Sequence, residues 1–305
     1  MLNAILTQVF NGVQYGMLLF LTAAGLTLVF GVMNFVNLAH GSLYMLGAYV
    51  GATVATASGS LLVGVAAAVV ACFVLGALLE RFALSRLYGS DHLYHVLATF
   101  GLILFFNELA RIIWGEQPVY ASVPQALSGV IHIGGIRYPA YSLAVIVSGL
   151  IVALGIYLLI NRTRMGMLIR AGATHPQIVE VMGINIRVLK TLLFAVGAAL
   201  AGFAGAILGP LVSVQSGMGE PVLITTLVVI VVGGVGSVRG AFGAALLVGI
   251  VDTLARTFLP LVLSASFSPG IADTAAPALA SMMIYILMAI VLIFRPSGIF
   301  GKEGS

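Results

Sequence analysis

Apolar residues run in long stretches along this chain and are separated by short polar segments. A run of about 20 apolar residues is long enough to cross a bilayer as a helix. Most of the stretches have this length and contain almost no charged residue. The pattern predicts helices near residues 8–30, 43–57, 61–84, 93–114, 141–160, 191–212, 222–232, 241–257 and 276–294.

Two of these stretches, 43–57 and 222–232, are too short to cross a bilayer upright. They either extend into their flanks or form half-helices or re-entrant segments. The first stretch lacks the positive n-region of a signal peptide and is expected to be a retained span. We therefore predict an all-α, polytopic transmembrane helix bundle of about eight spans with one broken or re-entrant segment, in a single domain over residues 1–305.

The composition fits a chain whose surroundings are mainly lipid. Of the 305 residues, 61% are hydrophobic and 7% are charged, whereas an ordinary soluble domain has about 25% charged residues. The 37 glycines fall largely inside the apolar stretches, so helices are expected to approach one another closely. The net charge of +4 is small and dispersed, which argues against a nucleic-acid partner. A single cysteine, Cys72, excludes an intrachain disulfide and is expected in the core.

The distribution of lysine and arginine predicts the orientation in the membrane, because positively charged loops stay in the cytoplasm. The loop 161–190 holds five of the thirteen cations and is therefore the predicted cytoplasmic anchor. The segments 1–8 and 115–139 are then external. The five cations are Arg162, Arg164, Arg170, Arg187 and Lys190.

The number of times that the stretch 222–257 crosses the membrane decides on which side the C terminus lies. As one crossing it would leave the tail, with Arg295 and Lys302, outside the cell, against the charge rule. A hairpin of two pieces that turns at 233–240 gives an internal C terminus instead, with Arg239 at the turn and Arg256 near the outer end. We predict the hairpin.

The loop 161–190 contains signals for a short helix from Pro176 to Met182. Proline suits the first turn of a helix, and Gly183 is placed to end it. One interpretation is a connector that lies on the membrane surface, held by the flanking arginines. The other is a coupling helix that docks in a groove of a soluble ATPase and transmits its motion. The length and polarity of this central loop favour the second interpretation.

A polar turn between the first two stretches reads NFVNLAHGS, from Asn34 to Ser42. Unpaired amides cost several kcal/mol in hydrocarbon, so these groups must face water, protein or a substrate. Our hypothesis places Asn34, Asn37, His40 and Ser42 in the cytoplasmic half of a transport path or its gate. The alternative is a solvated connecting turn.

The segment GGVGSVRGAFG, residues 233–243, superficially resembles a phosphate-binding loop but lacks the Gly-Lys-Ser/Thr and G-x-G-x-x-G patterns. Glycine-rich backbone at membrane depth is tolerated where it packs in protein or lines a cavity. Gly233, Gly234 and Gly236 are therefore interpreted as a broken-helix turn near the transport path, with a plain helix-packing turn as the alternative.

The stretch 191–212 has a small residue at every fourth position, which places these residues on one helix face and allows close approach of a partner helix. The partner is either a helix of the same chain or one of a second permease-like subunit. The residues are Gly197, Ala201, Gly205 and Gly209.

The charged and metal-binding residue types give no enzymatic site. Glu108 and Arg111 are three residues apart and can form an ion pair on one helix face. His92 and His95 stand at a helix start, and the five histidines lack the spacing of metal ligands, so neither a metal nor a cofactor is expected. No nucleophile elbow or carboxylate dyad is present, which argues against an intramembrane enzyme.

Four stretches carry a resemblance to a known family. They are GLTLVFGVMNFVNLAHGSLYMLGAY, RAGATHPQIVEVMGINIRVLKTLLFAVGAALAGFAGAI, VVGGVGSVRGAFGA and LIFRPSGIFG. In this order they resemble the permeases of branched-chain amino acid ABC transporters, of the high-affinity leucine, isoleucine and valine uptake type, first permease subunit. The likeness covers nearly the whole chain.

The resemblance implies an importer subunit in a bacterial inner membrane. Its expected partners are a second homologous permease, two cytoplasmic ATP-binding subunits and a periplasmic or lipid-anchored substrate-binding protein. It also places the ATPase contact on the loop 161–190, whose candidate residues are Arg170, His175, Pro176, Glu180, Gly183 and Asn185. The importer coupling motif, Glu-Ala-Ala with a glycine four positions later, is matched only by Glu180 and Gly183 at a different spacing.

Two alternatives stay open for the function. Related permeases carry urea or short amides, and nothing in the spans distinguishes these substrates from amino acids. A secondary transporter would need acidic coupling residues in mid-span, for which Glu108 and Asp252 are the candidates.

Overall fold

The structure is a computed structural model that describes residues 2–33, 35, 37–174, 176–266 and 269–301. Every predicted apolar stretch coincides with a helix in it, apart from up to four residues at its end, and two helices of the loop 161–190 join them. The helices are α1 (Leu2–Met33), α2 (His40–Ser58), α3 (Leu61–Phe82), α4 (His92–Trp114), α5 (Ala140–Arg162), α6 (Arg164–Thr174), α7 (Pro176–Val181), α8 (Ile186–Leu208), α9 (Gly219–Gly233), α10 (Val238–Ser266) and α11 (Pro269–Phe294).

Seven helices of the described residues are long and apolar enough to cross a membrane, which confirms the all-α polytopic bundle. They are α1, α3, α4, α5, α8, α10 and α11. The two short stretches behave differently. Helix α2 extends to 19 residues, of which twelve are buried. Helix α9 has 15 residues and spans about 22 Å at 1.5 Å per residue, less than the roughly 30 Å of a hydrocarbon core.

Two compact units make up the chain. The first comprises Met1–Ala23, Gln125–Leu150 and Thr225–Ser305, and the second comprises Ala24–Pro124 and Ile151–Ile224. In the second unit α2, α3 and α8 pack on one another through glycines. A Cβ atom added at Gly47 of α2 would overlap the backbone of Gly202 in α8, and one added at Gly202 would lie 2.5 Å from the sulfur of Cys72 in α3. Cys72 is buried, as predicted.

The first unit uses the same kind of contact. A Cβ atom added at Gly16 of α1 would lie 2.8 Å from the carbonyl oxygen of Ala245 in α10. Phe20 of α1 and Phe242 of α10 meet edge to face, with ring centroids 5.1 Å apart. Helices α10 and α11 also pack on each other.

A small antiparallel sheet, which the apolar pattern did not predict, precedes α5. Strands β1 (Val130–Ile133) and β2 (Ile136–Pro139) pair with Ile133 opposite Ile136. The two residues between them, Gly134 and Gly135, both have positive φ angles, of 54° and 85°. This is the conformation that the tight two-residue turns of hairpins require.

In the second unit the segment before this hairpin is tied to the segment after α8. Val119 and Val214 exchange two backbone hydrogen bonds, with N···O distances of 2.8 and 2.9 Å. The topology predicted from the charges places both segments on the external side.

Candidate functional site

The connector, residues 163–185 between α5 and α8, consists mainly of the helices α6 and α7. Helix α6 was not predicted. It is amphipathic, and its buried Ile169 packs with Leu189 and Leu193 of α8. The apolar face of α6 is therefore bound to α8, while its arginines, Arg164 and Arg170, are exposed.

Helix α7 ends as the sequence predicted. Gly183 has a φ of 83°, a conformation that costs other residues energy because of their Cβ atom. The N–H groups of Gly183 and Ile184 donate to the carbonyl oxygens of Glu180 and Val179, at 2.9 and 3.3 Å. Val181 and Met182 at this turn are 89% and 73% exposed. The connector thus presents two large apolar side chains at a fixed turn.

The structure shows where three further predicted coupling residues lie, and a fourth is not described. The Oδ1 atom of Asn185 accepts hydrogen bonds from the N–H groups of Arg187 and Val188, so Asn185 caps α8. Helix α8 therefore begins at Ile186, five residues before the predicted start. Arg170 donates to the carbonyl oxygen of Ile160. Pro176 begins α7, and His175 lies outside the described residues.

The polar turn before α2 is buried, which contradicts the solvated connecting turn. Asn37, His40 and Ser42 are 1%, 2% and 4% exposed. The side-chain oxygen of Asn37 accepts from the N–H of Ala39 at 3.0 Å. Its Nδ2 atom is buried and has no hydrogen-bond partner among the described residues. Asn34 lies outside those residues.

The glycine-rich segment breaks the stretch 222–257 into α9 and α10, inside the predicted turn. Gly234 and Gly236 have φ angles of 96° and 81°. With these backbone conformations α9 ends, and the chain changes direction before α10 begins. Gly233 lies against the backbone of Gly240, where a Cβ atom would come within 2.5 Å of the Gly240 carbonyl carbon.

The last residues of the described chain form hydrogen bonds with the end of α9, next to this break. The N–H groups of Ile299 and Phe300 donate to the carbonyl oxygens of Val232 and Gly233, at 2.9 and 3.2 Å. Carbonyl groups at the end of a helix have no partner within the helix, so the tail satisfies two of them for α9. Two of the stretches that carry the family resemblance, VVGGVGSVRGAFGA and LIFRPSGIFG, therefore meet in space.

The small-residue face of α8 packs within this chain at two of its predicted positions. A Cβ atom at Gly197 would lie 2.9 Å from the carbonyl oxygen of Gly25 in α1, and one at Gly205 would overlap the Tyr44 carbonyl of α2. Ala201 is fully buried. Gly209 is the C-cap of α8, and its added Cβ would make only ordinary contacts, from 3.4 Å outward.

The two acidic residues considered for ion coupling each pair with an arginine. Glu108 and Arg111 are 2.9 Å apart, and both side chains are more than half exposed. Asp252 is buried, and its Oδ2 atom lies 2.8 Å from Nε of Arg256. Its Oδ1 atom is buried without a hydrogen-bond partner in the described part of the chain.

Glu80 is a buried carboxylate near the end of α3 that the sequence analysis did not single out. It is 1% exposed. It accepts a hydrogen bond of 2.6 Å from the hydroxyl of Tyr88 and another from the hydroxyl of Thr191. Burial and the bond to Glu80 raise the pKa of Tyr88, so the hydroxyl stays protonated and remains a donor. An acidic residue within an apolar run was the signal available in the sequence.

Comparison with known proteins gives a match along nearly the whole chain. The family model described as "Branched-chain amino acid transport system / permease component" matches residues 8–292. The high-affinity branched-chain amino acid transport system permease protein BraD of Pseudomonas aeruginosa is 28% identical, and the alignment covers 97% of this chain and 96% of BraD.

Two further relatives give the same picture. The corresponding permease protein LivH of Escherichia coli K12 is 29% identical, with 97% and 96% of the two chains covered. A probable branched-chain amino acid transport permease protein LivH of Methanocaldococcus jannaschii is 26% identical, with 96% and 91% covered. No solved structure is significantly similar to the chain.

Proposed function

This chain belongs to the family of permease components of branched-chain amino acid transport systems, and from this premise we propose that it moves branched-chain amino acids across a bacterial inner membrane. It is a multi-pass membrane protein and a transport permease, not an enzyme. The observation that carries the proposal is the match of the family model to residues 8–292, supported by relatives whose names give this substrate class.

Permeases of this family act with ATP-binding and substrate-binding partners. For this chain we propose a second homologous permease, two cytoplasmic ATP-binding subunits and an external substrate-binding protein. Energy from ATP would then reach the permease as motion, and the substrate would arrive already selected by the binding protein. The permease itself needs only a path that opens alternately to the two sides.

The connector is the proposed contact with the ATP-binding subunits. Its exposed apolar residues, Val181 and Met182, suit the core of an interface, where burial of apolar area supplies most of the binding energy. The exposed arginines of α6 fit a cytoplasmic position. Ile169 links the connector to α8, so a displacement at the interface would be passed to a spanning helix.

The proposed cytoplasmic half of the path includes the buried polar turn before α2. Asn37 supports this role because its Nδ2 donor is buried and unpartnered among the described residues, and a buried donor without a partner is rare in a finished core. His40 and Ser42 lie beside it in the chain and are also buried. Gly233, Gly234 and Gly236 belong to this proposal through the break that they make between α9 and α10.

ATP-driven uptake by the reconstituted transporter tests the proposed function. The full chain is co-purified with its partners, placed in proteoliposomes with ATP on the connector side, and supplied with binding protein and labelled leucine. We expect uptake that requires ATP and is reduced by excess isoleucine or valine but not by urea or acetamide. Uptake without ATP would indicate a secondary transporter, and competition by the amides alone would reject the substrate class.

A further inference from the structure

A cavity of about 330 Å³ lies between the end of α1 and the starts of α4 and α8, in the second unit. Its size falls within the range of ligand pockets in proteins. Buried residues form its inner wall, half-buried residues its sides and exposed residues its rim. The lining residues are Met33, Phe35, Tyr88, Ser90, His92, His95 and Lys190.

The polar residues of the lining carry one ammonium group, two imidazoles and two hydroxyl groups, the latter from Tyr88 and Ser90. Lys190 contributes an ammonium group, and His92 and His95 contribute imidazoles. No aspartate or glutamate lines the cavity among the residues that the structure describes. Glu80 is engaged by the hydroxyls of Tyr88 and Thr191. Asp91, next to the rim, is exposed and caps the start of α4.

The Nδ1 atom of His95 is a buried polar atom without a partner. His95 is 8% exposed, and within the described residues Nδ1 has no hydrogen-bond partner. The ring stacks on Phe35 at 4.9 Å between centroids, with an interplanar angle of 23°. Stacking fixes the orientation of the imidazole before any ligand is bound. Buried polar atoms without a partner are rare in native proteins, and this one belongs to a residue that lines the cavity.

Lys190 is also held in place without an acidic partner. Its Nζ atom lies 4.3 Å from the centroid of the Tyr88 ring, within the range of a cation–π contact. Among the described residues Lys190 forms no ion pair. A cation that is fixed against a ring, with no carboxylate within ion-pair distance, can still accept an anionic ligand.

From these observations we propose that this cavity binds a phosphate group, through Lys190 and His95 with Ser90 and His92 at the rim. Lysine binds phosphate as a point charge, and the lining offers several further donor side chains for the several oxygens of this anion. The cavity lies at the turn between the candidate spans Leu61–Leu87 and His92–Trp114, hence at the membrane surface. The phosphate group therefore belongs either to a lipid headgroup or to a soluble phosphate.

The test uses the purified full chain in a neutral detergent, in two arms. One arm titrates inorganic phosphate against chloride at matched ionic strength and follows binding by microscale thermophoresis. The other arm offers equal amounts of phosphatidylglycerol and a neutral galactosyl diacylglycerol, which has no phosphate group, and counts retained lipids by native mass spectrometry. Saturable phosphate binding indicates a soluble ligand, and selective retention of phosphatidylglycerol alone indicates a lipid headgroup. Either result supports the site if the variants below respond as stated.

Lys190→Met keeps most of the apolar stem and His95→Phe keeps the ring that stacks on Phe35, so both are expected to fold. Each should weaken the binding about tenfold, the effect of losing one charge-assisted hydrogen bond. Lys190→Arg should stay within about threefold of the natural chain. Arg187→Met is the matched control, because Arg187 is an exposed cation on the same helix that does not line the cavity.

Two outcomes would overturn the proposal. One is that neither phosphate nor phosphatidylglycerol is distinguished from its reference. The other is that Arg187→Met lowers binding as much as Lys190→Met, which would mean that only the overall charge matters. Size-exclusion profiles of all variants ensure that a lost signal is not lost folding, and His95→Phe keeps the proposal testable if Lys190→Met does not fold.

Discussion

Helices α2, α3 and α8 pack backbone to backbone, whereas the connector of α6 and α7 leaves two large apolar residues, Val181 and Met182, uncovered. In the first region a Cβ atom at Gly47 would overlap the backbone of Gly202, and Tyr44 and Met45 are almost completely buried. In the second region Val181 and Met182 are largely exposed, and a Cβ atom at Gly183 would meet nothing within 4 Å.

The contrast separates two uses of glycine in one chain. Glycines of the packed region have no side chain, so the helix backbones can come into direct contact. In a membrane, such close packing takes the place of the hydrophobic effect in driving helices to associate. Gly183 instead supplies a backbone conformation at an open surface. Helix α8 takes part in both regions, because it contacts α6 through Leu189 and Leu193 and α2 through Gly202 and Gly205. We expect substitutions in the packed region to impair folding and substitutions in the connector to impair transport.

The largest effect is expected from Gly47→Val. The new side chain would meet backbone atoms of α8 that no rotamer change can remove, so we expect a destabilisation of at least about 3 kcal/mol, the upper end of typical overpacking costs. Loss of the monodisperse peak in fluorescence-detected size-exclusion chromatography, after mild heating, would report it. Gly101→Val is the matched control, since Gly101 lies in α4 with nothing within 4 Å of its added Cβ. Equal melting of the two variants would show that the close contact does not stabilise the fold.

The next effect concerns transport alone and tests the connector. Gly183→Arg should leave the subunit folded in the membrane but abolish ATP-driven uptake, because a large charged side chain would stand at the proposed docking turn. The matched comparison is Gly183→Ala, which imposes the same strain of a positive φ, about 1–2 kcal/mol, without the bulk and should keep most of the uptake. Uptake by both variants at the natural level would reject docking at this turn, and equal loss in both would assign the effect to the backbone.

The positions of the helices, and some of their ends, could be predicted from the sequence. Each predicted apolar stretch is a helix, and α3, α4 and α11 begin or end at predicted residues: Leu61, Trp114 and Phe294. Gly183 ends its helix as expected. The hairpin before α5 was missed although two glycines stand between isoleucines, a hairpin signal. Helix α8 begins five residues earlier than the apolar pattern predicts, because Asn185 caps it and the charged residues Arg187 and Lys190 belong to the helix and not to the loop.

Contacts between residues that lie far apart in the chain could not be predicted from the sequence. A single chain gives the periodicity of small residues on α8 but not the partner of each one, so the choice of Gly25 and Tyr44 as neighbours required the structure. The polar turn before α2 shows the same limit, because its composition fits a solvated loop and only the structure shows that Asn37 and His40 are buried. The cavity beside Lys190 joins the ends of three helices that lie far apart in the chain.

The smallest effect is expected at Asn185, where the connector meets the packed region. Asn185→Ala removes the acceptor for the N–H groups of Arg187 and Val188, and loss of such a cap costs about 1 kcal/mol. The melting temperature should fall by about 2–4 °C, with uptake nearly unchanged, because the glycine contacts of α8 lie farther along the helix. Asn185→Asp keeps an acceptor and adds a negative charge near the helix start, so its melting temperature should match that of the natural chain or exceed it. If Asn185→Ala instead abolished uptake while Asn185→Asp preserved it, the first turn of α8 would belong functionally to the connector, and the boundary between the two regions would move into the helix.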